Sequence, residues 1–210
     1  MELKDYEPMH RWFDLCHRNG VNVGAATAMS QQLITAYNEP HRRYHTLDHV
    51  VRCLDLLDLV QLEQEERDLI EYALWFHDIV YIPESGTNET ESAEIAERWI
   101  INQGLSIGKA VTGLILQSAD YLSNPPSGKV QGLFHDLDLH VFGSTSREYQ
   151  EYASNIRKEY SHLNETEFQK GRKKFLQTML ARPSIYATAP FREMYQEQAL
   201  TNIDRELQDM

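Results

Sequence analysis

The sequence predicts an all-α protein, and three observations carry that expectation. Apolar residues recur at spacings of three and four along most of the chain, polar capping pairs stand at the starts of several of these stretches, and no segment alternates with the period of two that marks a half-buried strand. Ile70, Leu74 and His77 fall at i, i+4 and i+7, which places an imidazole on the face that should look into a core.

Taken in order, the first 38 residues read as two helices separated around Asn19 and Gly20, with Met9, Trp12, Phe13 and Cys16 as one apolar stripe. Glu39-Pro40 breaks the chain, and Leu47, Val50, Val51, Leu54 and Leu57 then carry a helix to about Val60. The helix after Glu65 bears His77 and Asp78 at its C-terminal end, before a loop at Ile82, Pro83 and Gly86. Asn88 with Glu91 reads as a capping pair opening a helix to Gly104. Ile107, Val111, Leu114 and Ile115 suit a further packed helix, and residues 123–128 read as a loop over or beside a site. Gly143 is expected to end the helix bearing Asp138. Thr145 with Glu148 and Asn164 with Glu167 open the next two helices, the second ending near Arg182-Pro183. Tyr149, Tyr152, Ile156 and Tyr160 form an aromatic stripe, read as core packing or as a face that turns Arg157 or a tyrosine hydroxyl toward a ligand. The amphipathic stretch from Phe191 to Leu207 caps the bundle or a subunit interface, which leaves room for a homo-oligomer.

A chain of 210 residues that is 41% hydrophobic can build one substantial core, so the expectation is a single domain over 1–210 with residues 190–210 as its capping helix. The net charge of −12 argues against an extended nucleic-acid surface, which needs clustered Lys and Arg. Two cysteines, Cys16 and Cys53, give no disulfide framework and suit a reducing cytoplasm; each reads as a small buried hydrophobe. Neither a signal peptide nor a membrane span is expected, since no apolar run approaches the ~18 residues a span requires.

Chemistry concentrates in three His- and Asp-rich clusters flanked by apolar residues. His77-Asp78 puts an imidazole and a carboxylate side by side; adjacent helical residues point about 100° apart, so one ligand shared by both must sit astride the helix edge. His45 and His49, four apart, occupy one side of a helix, a spacing at which two imidazoles can share an ion. His135-Asp136-Leu137-Asp138-Leu139-His140 offers two carboxylates at i and i+2, of which at most one is a direct ligand. Buried polar groups need partners, and a cation satisfies all three clusters at once. Glu89 reads equally as a residue that orients a ligand and as a favourable charge in a helix's first turn.

The order of His, then His-Asp, then a distant Asp resembles the HD-domain superfamily of metal-dependent phosphohydrolases. Within it the chain is similar to a bacterial group of about 200 residues described as predicted HD-superfamily phosphohydrolases. The similarity runs through Tyr44-His45-Thr46-Leu47-Asp48-His49, Trp75-Phe76-His77-Asp78-Ile79-Val80-Tyr81, Asn88-Glu89 with Ser92-Ala93, Asp136-Leu137-Asp138, Tyr152 with Ile156-Arg157-Lys158-Glu159-Tyr160, Gly171-Arg172 and Ile185-Tyr186, nearly the whole length. The resemblance implies an HD-domain-like helical bundle with His49, His77, Asp78 and Asp138 as metal ligands and His45 as the general acid. Thr46 stands where a similar phosphodiesterase motif has Asn, Leu139 where similar nucleotide hydrolases have Lys, and Tyr121 where many relatives have a further His.

The expected activity is hydrolysis of a small phosphate ester, a nucleotide or other phosphorylated metabolite, by metal-activated water. Asp78 orients the water, and Arg42 or Arg43 holds a phosphate oxygen through paired donors. Tyr44, Tyr121 and Arg157 join Arg42, Arg43 and Glu89 as residues near the substrate or the ligands. A mixed imidazole and carboxylate set suits Mn, Fe, Co, Ni or Zn, with Mg as a candidate second ion. Two rival readings are a non-catalytic metal- or nucleotide-binding module and a diiron oxygenase of similar fold.

Overall fold

The computed structural model describes residues 8–119, 121 and 126–210, and within them the protein is all-α, ten helices with no strand. The chain groups into two compact units, Met1–Ala119 and Asp120–Met210. Residues 123–125 of the expected loop lie outside the described residues.

The first unit holds α1 (Met9–Arg18), α2 (Val23–Tyr37), α3 (Leu47–Leu57), α4 (Gln64–Phe76), α5 (Asn88–Asn102) and α6 (Gly108–Ser118). Helix α4 is its axis, packed by α1, α3, α5 and α6. Ile70, Tyr72, Ala73, Leu74, Trp75 and Phe76 have no exposed surface, so this helix is apolar almost all round, as a surrounded helix must be. Trp12 binds the unit together. Its ring meets Tyr72, Trp75 and Phe76 edge-on at 5.8 to 6.1 Å and Trp99 at 5.1 Å, and its indole N–H donates to the Ala26 carbonyl at 2.9 Å. Leu15, rather than the expected Phe13, completes the buried stripe of α1 with Met9, Trp12 and Cys16.

The second unit comprises α7 (Lys129–Asp138), a 3-10 segment (Leu139–Gly143), α8 (Ser146–Glu159), α9 (Glu165–Leu180) and α10 (Ala189–Gln208). Helix α10 packs on the 3-10 segment, α8 and α9. Gly143 is needed for that approach: a Cβ there would overlap the Cβ of Tyr195 and sit 2.7 Å from its carbonyl oxygen. Asn202 fixes the register by donating to the carbonyls of Phe142 and Ser144, both at 2.9 Å. Behind this seam the buried Arg172 guanidinium forks onto Glu206 (2.8 and 3.1 Å) and donates to the Tyr152 hydroxyl (3.0 Å), while the Tyr149 hydroxyl donates to the same carboxylate (2.5 Å). Burial raises both tyrosine hydroxyls above their ordinary range, so they stay protonated.

Both capping boxes expected for α8 and α9 form, at Thr145 with Glu148 and Asn164 with Glu167. The one expected at Asn88 does not. Thr87 takes the cap position and its hydroxyl meets Glu91 at 2.6 Å. The Asn88 amide instead closes residues 82–88 by bonding both backbone groups of Ile82, at 3.0 and 2.9 Å. Likewise α7 stops at Asp138 and reaches Gly143 only by tightening to 3-10 geometry.

Candidate metal centre

Two helix ends in the first unit carry three of the expected ligands, His49, His77 and Asp78. Thr46 enters in extended conformation as the N-cap of α3, and His49 lies one turn inside, 4% exposed, its N–H on the Thr46 carbonyl. His77 caps the C-terminus of α4 with its N–H on the Ala73 carbonyl at 2.8 Å, and Asp78 follows in the turn. Because α3 packs on α4, the two Nε2 atoms, 28 residues apart in sequence, come within 3.2 Å. Asp78 Oδ2 lies 3.1 Å from the same His77 Nε2.

The tautomer decides what this arrangement can hold. His77 Nδ1 is 2.9 Å from the Leu74 carbonyl, an acceptor only, so Nδ1 carries a proton and the neutral form of the ring has its lone pair at Nε2. That lone pair faces another imidazole nitrogen and a carboxylate oxygen. A shared proton can satisfy two of the three atoms; a divalent cation can satisfy all of them. His49 and His77 belong together to one group of residues whose ligand atoms are close enough to share an ion, and Asp78 is not a member of that group. Two imidazoles and a carboxylate fit a transition metal better than Mg or Ca.

Around this corner lies a brace that sequence reading assigned otherwise or missed. Arg42, expected near the substrate or the ligands, is fully buried at its side chain. Its guanidinium donates to Glu39 (3.0 Å) and to the carbonyls of His45 (3.1 Å), Asp78 (2.6 Å) and Ile79 (3.2 Å), so it holds backbone and not an incoming phosphate. Tyr37, which no sequence pattern singled out, donates to the Trp75 carbonyl at 3.1 Å and accepts from the Asp78 N–H; burial, its largest influence, keeps this hydroxyl protonated. Cys53, read as a buried hydrophobe, is buried, with its sulfur 3.9 Å from His49 Nδ1 and within a group of residues that could hold an ion.

His45 precedes α3 instead of sharing a helical face with His49, because the helix begins only after Thr46. It nevertheless stays near, 6.1 Å from His49 between ring centroids, half-buried and stacked on Tyr81 at 4.1 Å. Tyr44 packs 4.9 Å from the His49 ring with a buried hydroxyl. Arg43 is exposed and donates to the Pro40 and Arg42 carbonyls. Glu89 sits in the first turn of α5, partly exposed.

The second unit separates the two carboxylates of α7. Asp136, with no exposed surface, accepts from Ala187 N–H (2.6 Å), Thr188 N–H (2.7 Å) and the Thr188 hydroxyl (2.6 Å), and its Oδ1 lies 2.9 Å from His135 Nδ1. It is thereby committed to the start of α10. Asp138, the last residue of α7, is partly exposed. Tyr121 packs edge-on against His135 at 4.6 Å. Arg157 ties α8 to α9 through Glu165 and the carbonyls of Tyr160 and Leu163, with its guanidinium over Phe168. The aromatic stripe of α8 is therefore packing and ion-pair structure.

No helix among the described residues is long and apolar enough to cross a membrane. Compared with family models, curated proteins and solved structures, the chain matches none.

Proposed function

We propose that this protein is a metal-dependent hydrolase of small phosphate esters, of the HD-domain kind that its sequence resembles. The observation that supports the reading most is that His77 Nε2 lies 3.2 Å from His49 Nε2 and 3.1 Å from Asp78 Oδ2 where two helix ends come together. In this reading these three residues are ligands, and the resemblance adds Asp138. The commitment of Asp136 to α10 supports Asp138 as the ligand of that pair.

A divalent ion held there would supply a water acidified from pKa 15.7 toward roughly 7 and a counter-charge for phosphoryl oxygens. The chain's own residues do the rest. The hydrogen bond from His77 Nδ1 to Leu74 keeps Nε2 a ligand rather than a proton donor. Asp78, its backbone held at N–H and carbonyl by Tyr37 and Arg42, orients the attacking water through a carboxylate oxygen. His45 stands at the partly exposed edge, where an imidazolium can give its proton to the leaving oxygen.

Elemental analysis of the purified protein should find a transition metal, lost in both His77→Ala and Asp78→Ala. With that metal restored, a panel of phosphomonoesters, nucleotides and cyclic dinucleotides should release phosphate or ring-opened product. His45→Gln should keep the metal and lose about 10²- to 10⁴-fold in kcat, the range of a general acid. Equal metal content in wild type and both alanine variants would sink the assignment. Metal retention without turnover across the panel would favour a binding module instead.

A further inference from the structure

We infer that Arg42 is a positioning residue, one that sets where the His45 imidazole stands relative to the Asp78 carboxylate; this rests on the proposed hydrolase reading. The guanidinium spends its donors on four acceptors from two separate segments. Glu39 and the His45 carbonyl lie before α3, and the Asp78 and Ile79 carbonyls follow α4. Its flat face lies 5.2 Å from the Tyr37 ring and 5.4 Å from the Tyr81 ring. Tyr81 in turn stacks on His45 at 4.1 Å with 29° between planes. Arg42 thus reaches His45 twice, through its carbonyl and through the ring under it, while the same head grips the peptide of Asp78.

Nothing in helix packing alone would fix this relation. His49 and His77 are placed by α3 and α4, but His45 lies outside α3 and Asp78 beyond α4. Arg42 joins the two segments directly, through the His45 and Asp78 carbonyls. A planar guanidinium with five donors can span such a set of carbonyls, whereas an ammonium with three donors on a tetrahedral head cannot. Buried unsatisfied carbonyls would then let the bend relax, and misplacement by about 1 Å at a reacting group costs about 10²-fold.

The test compares Arg42→Lys and Tyr81→Leu with wild type in three measurements: metal content, kcat and KM on the best ester of the panel, and the ¹⁵N imidazole signals of metal-free protein at one pH, with His45 assigned from His45→Gln. Arg42→Lys should hold its metal and KM, lose about 100-fold in kcat, and move or broaden the His45 signal while those of His49 and His77 stay in place. Tyr81→Leu, which removes the stack but keeps the carbonyl grip, should move the same signal with a smaller loss of kcat, and it carries the test if Arg42→Lys does not fold. An unmoved His45 signal in both variants overturns the inference, as does a defect confined to KM, which would return Arg42 to the substrate. If wild type hydrolyses nothing, the hydrolase reading fails by itself and the imidazole signals still decide whether Arg42 positions His45.

Discussion

Each unit buries a polar cluster, and the two are built on opposite plans. In the second unit Arg172, Glu206, Tyr149 and Tyr152 form one set, with a cation and its counter-charge 2.8 Å apart, the Tyr149 hydroxyl donating to the carboxylate and the Tyr152 hydroxyl accepting from the guanidinium. In the first unit His77 Nε2 lies between a second imidazole nitrogen and a carboxylate oxygen, at 3.2 and 3.1 Å, with no permanent cation among the three side chains. A buried group carrying its own complement serves the fold. One that gathers imidazoles and a carboxylate at two helix ends suits a cation, and this contrast supports the metal site proposed above.

The contrast can be broken by deletion. Arg172→Met strands the Glu206 carboxylate, so urea denaturation should show a loss of about 3–5 kcal/mol, the same with and without added Mn²⁺, and Arg172→Met with Glu206→Leu should recover much of it. His77→Ala should behave in the reverse way. Wild type at 100 times the metal's Kd should gain about 2.7 kcal/mol, and His77→Ala should gain nothing. Equal metal responses in the two single variants would erase the distinction.

A finer cut falls within α7. Asp136→Asn keeps the shape but removes the charge from the carboxylate that receives Ala187 and Thr188, and should cost about 1–3 kcal/mol with metal content unchanged. Asp138→Asn should do the opposite, lowering metal content with little effect on the unfolding midpoint. Retained metal in the second variant would leave the ligand set at three.

The smallest expected effect concerns Cys16. Burial pushes this thiol up from 9.0 to about 12, opposed by the nearby Arg18. The folded state therefore holds the proton after the unfolded chain has lost it, and the thiol's contribution to stability, complete below pH 9, declines as pH rises from 9.0 toward about 12. In a Cys53→Ala background, thiol reagent at pH 8 should label Cys16 only as fast as the protein unfolds; labelling at the rate of a free thiol would contradict its burial.

What could be read in the sequence divides along the range of the interactions. The helical class and the boxes at Thr145 and Asn164 depend on neighbours three or four residues away, and those were legible. Asn88 was misread because its amide turns back to Ile82, a choice fixed by loop closure rather than by capping preference. His49 and His77 were legible as residue types in motifs, but their 3.2 Å approach is a product of α3 packing on α4. Tyr37 and Arg42 left no local trace at all. Their partners at Trp75, Asp78 and Ile79 lie 36 to 38 residues further on, so Tyr37 drew no reading and Arg42 was read as a residue near the substrate.

The bond network of Asp136 also says something about how the chain is made. The residues that receive this carboxylate, Ala187 and Thr188, are synthesised 51 and 52 residues after it. Domains fold as units, those nearer the N-terminus first. Helices α1 to α6 can thus assemble while the polypeptide is still growing, whereas the Asp136 side chain of α7 lacks these partners until Ala187 and Thr188 have been made. Nascent chains interrupted before Ala187 should keep a settled N-terminal half and an unsettled remainder, the natural target for quality-control proteases.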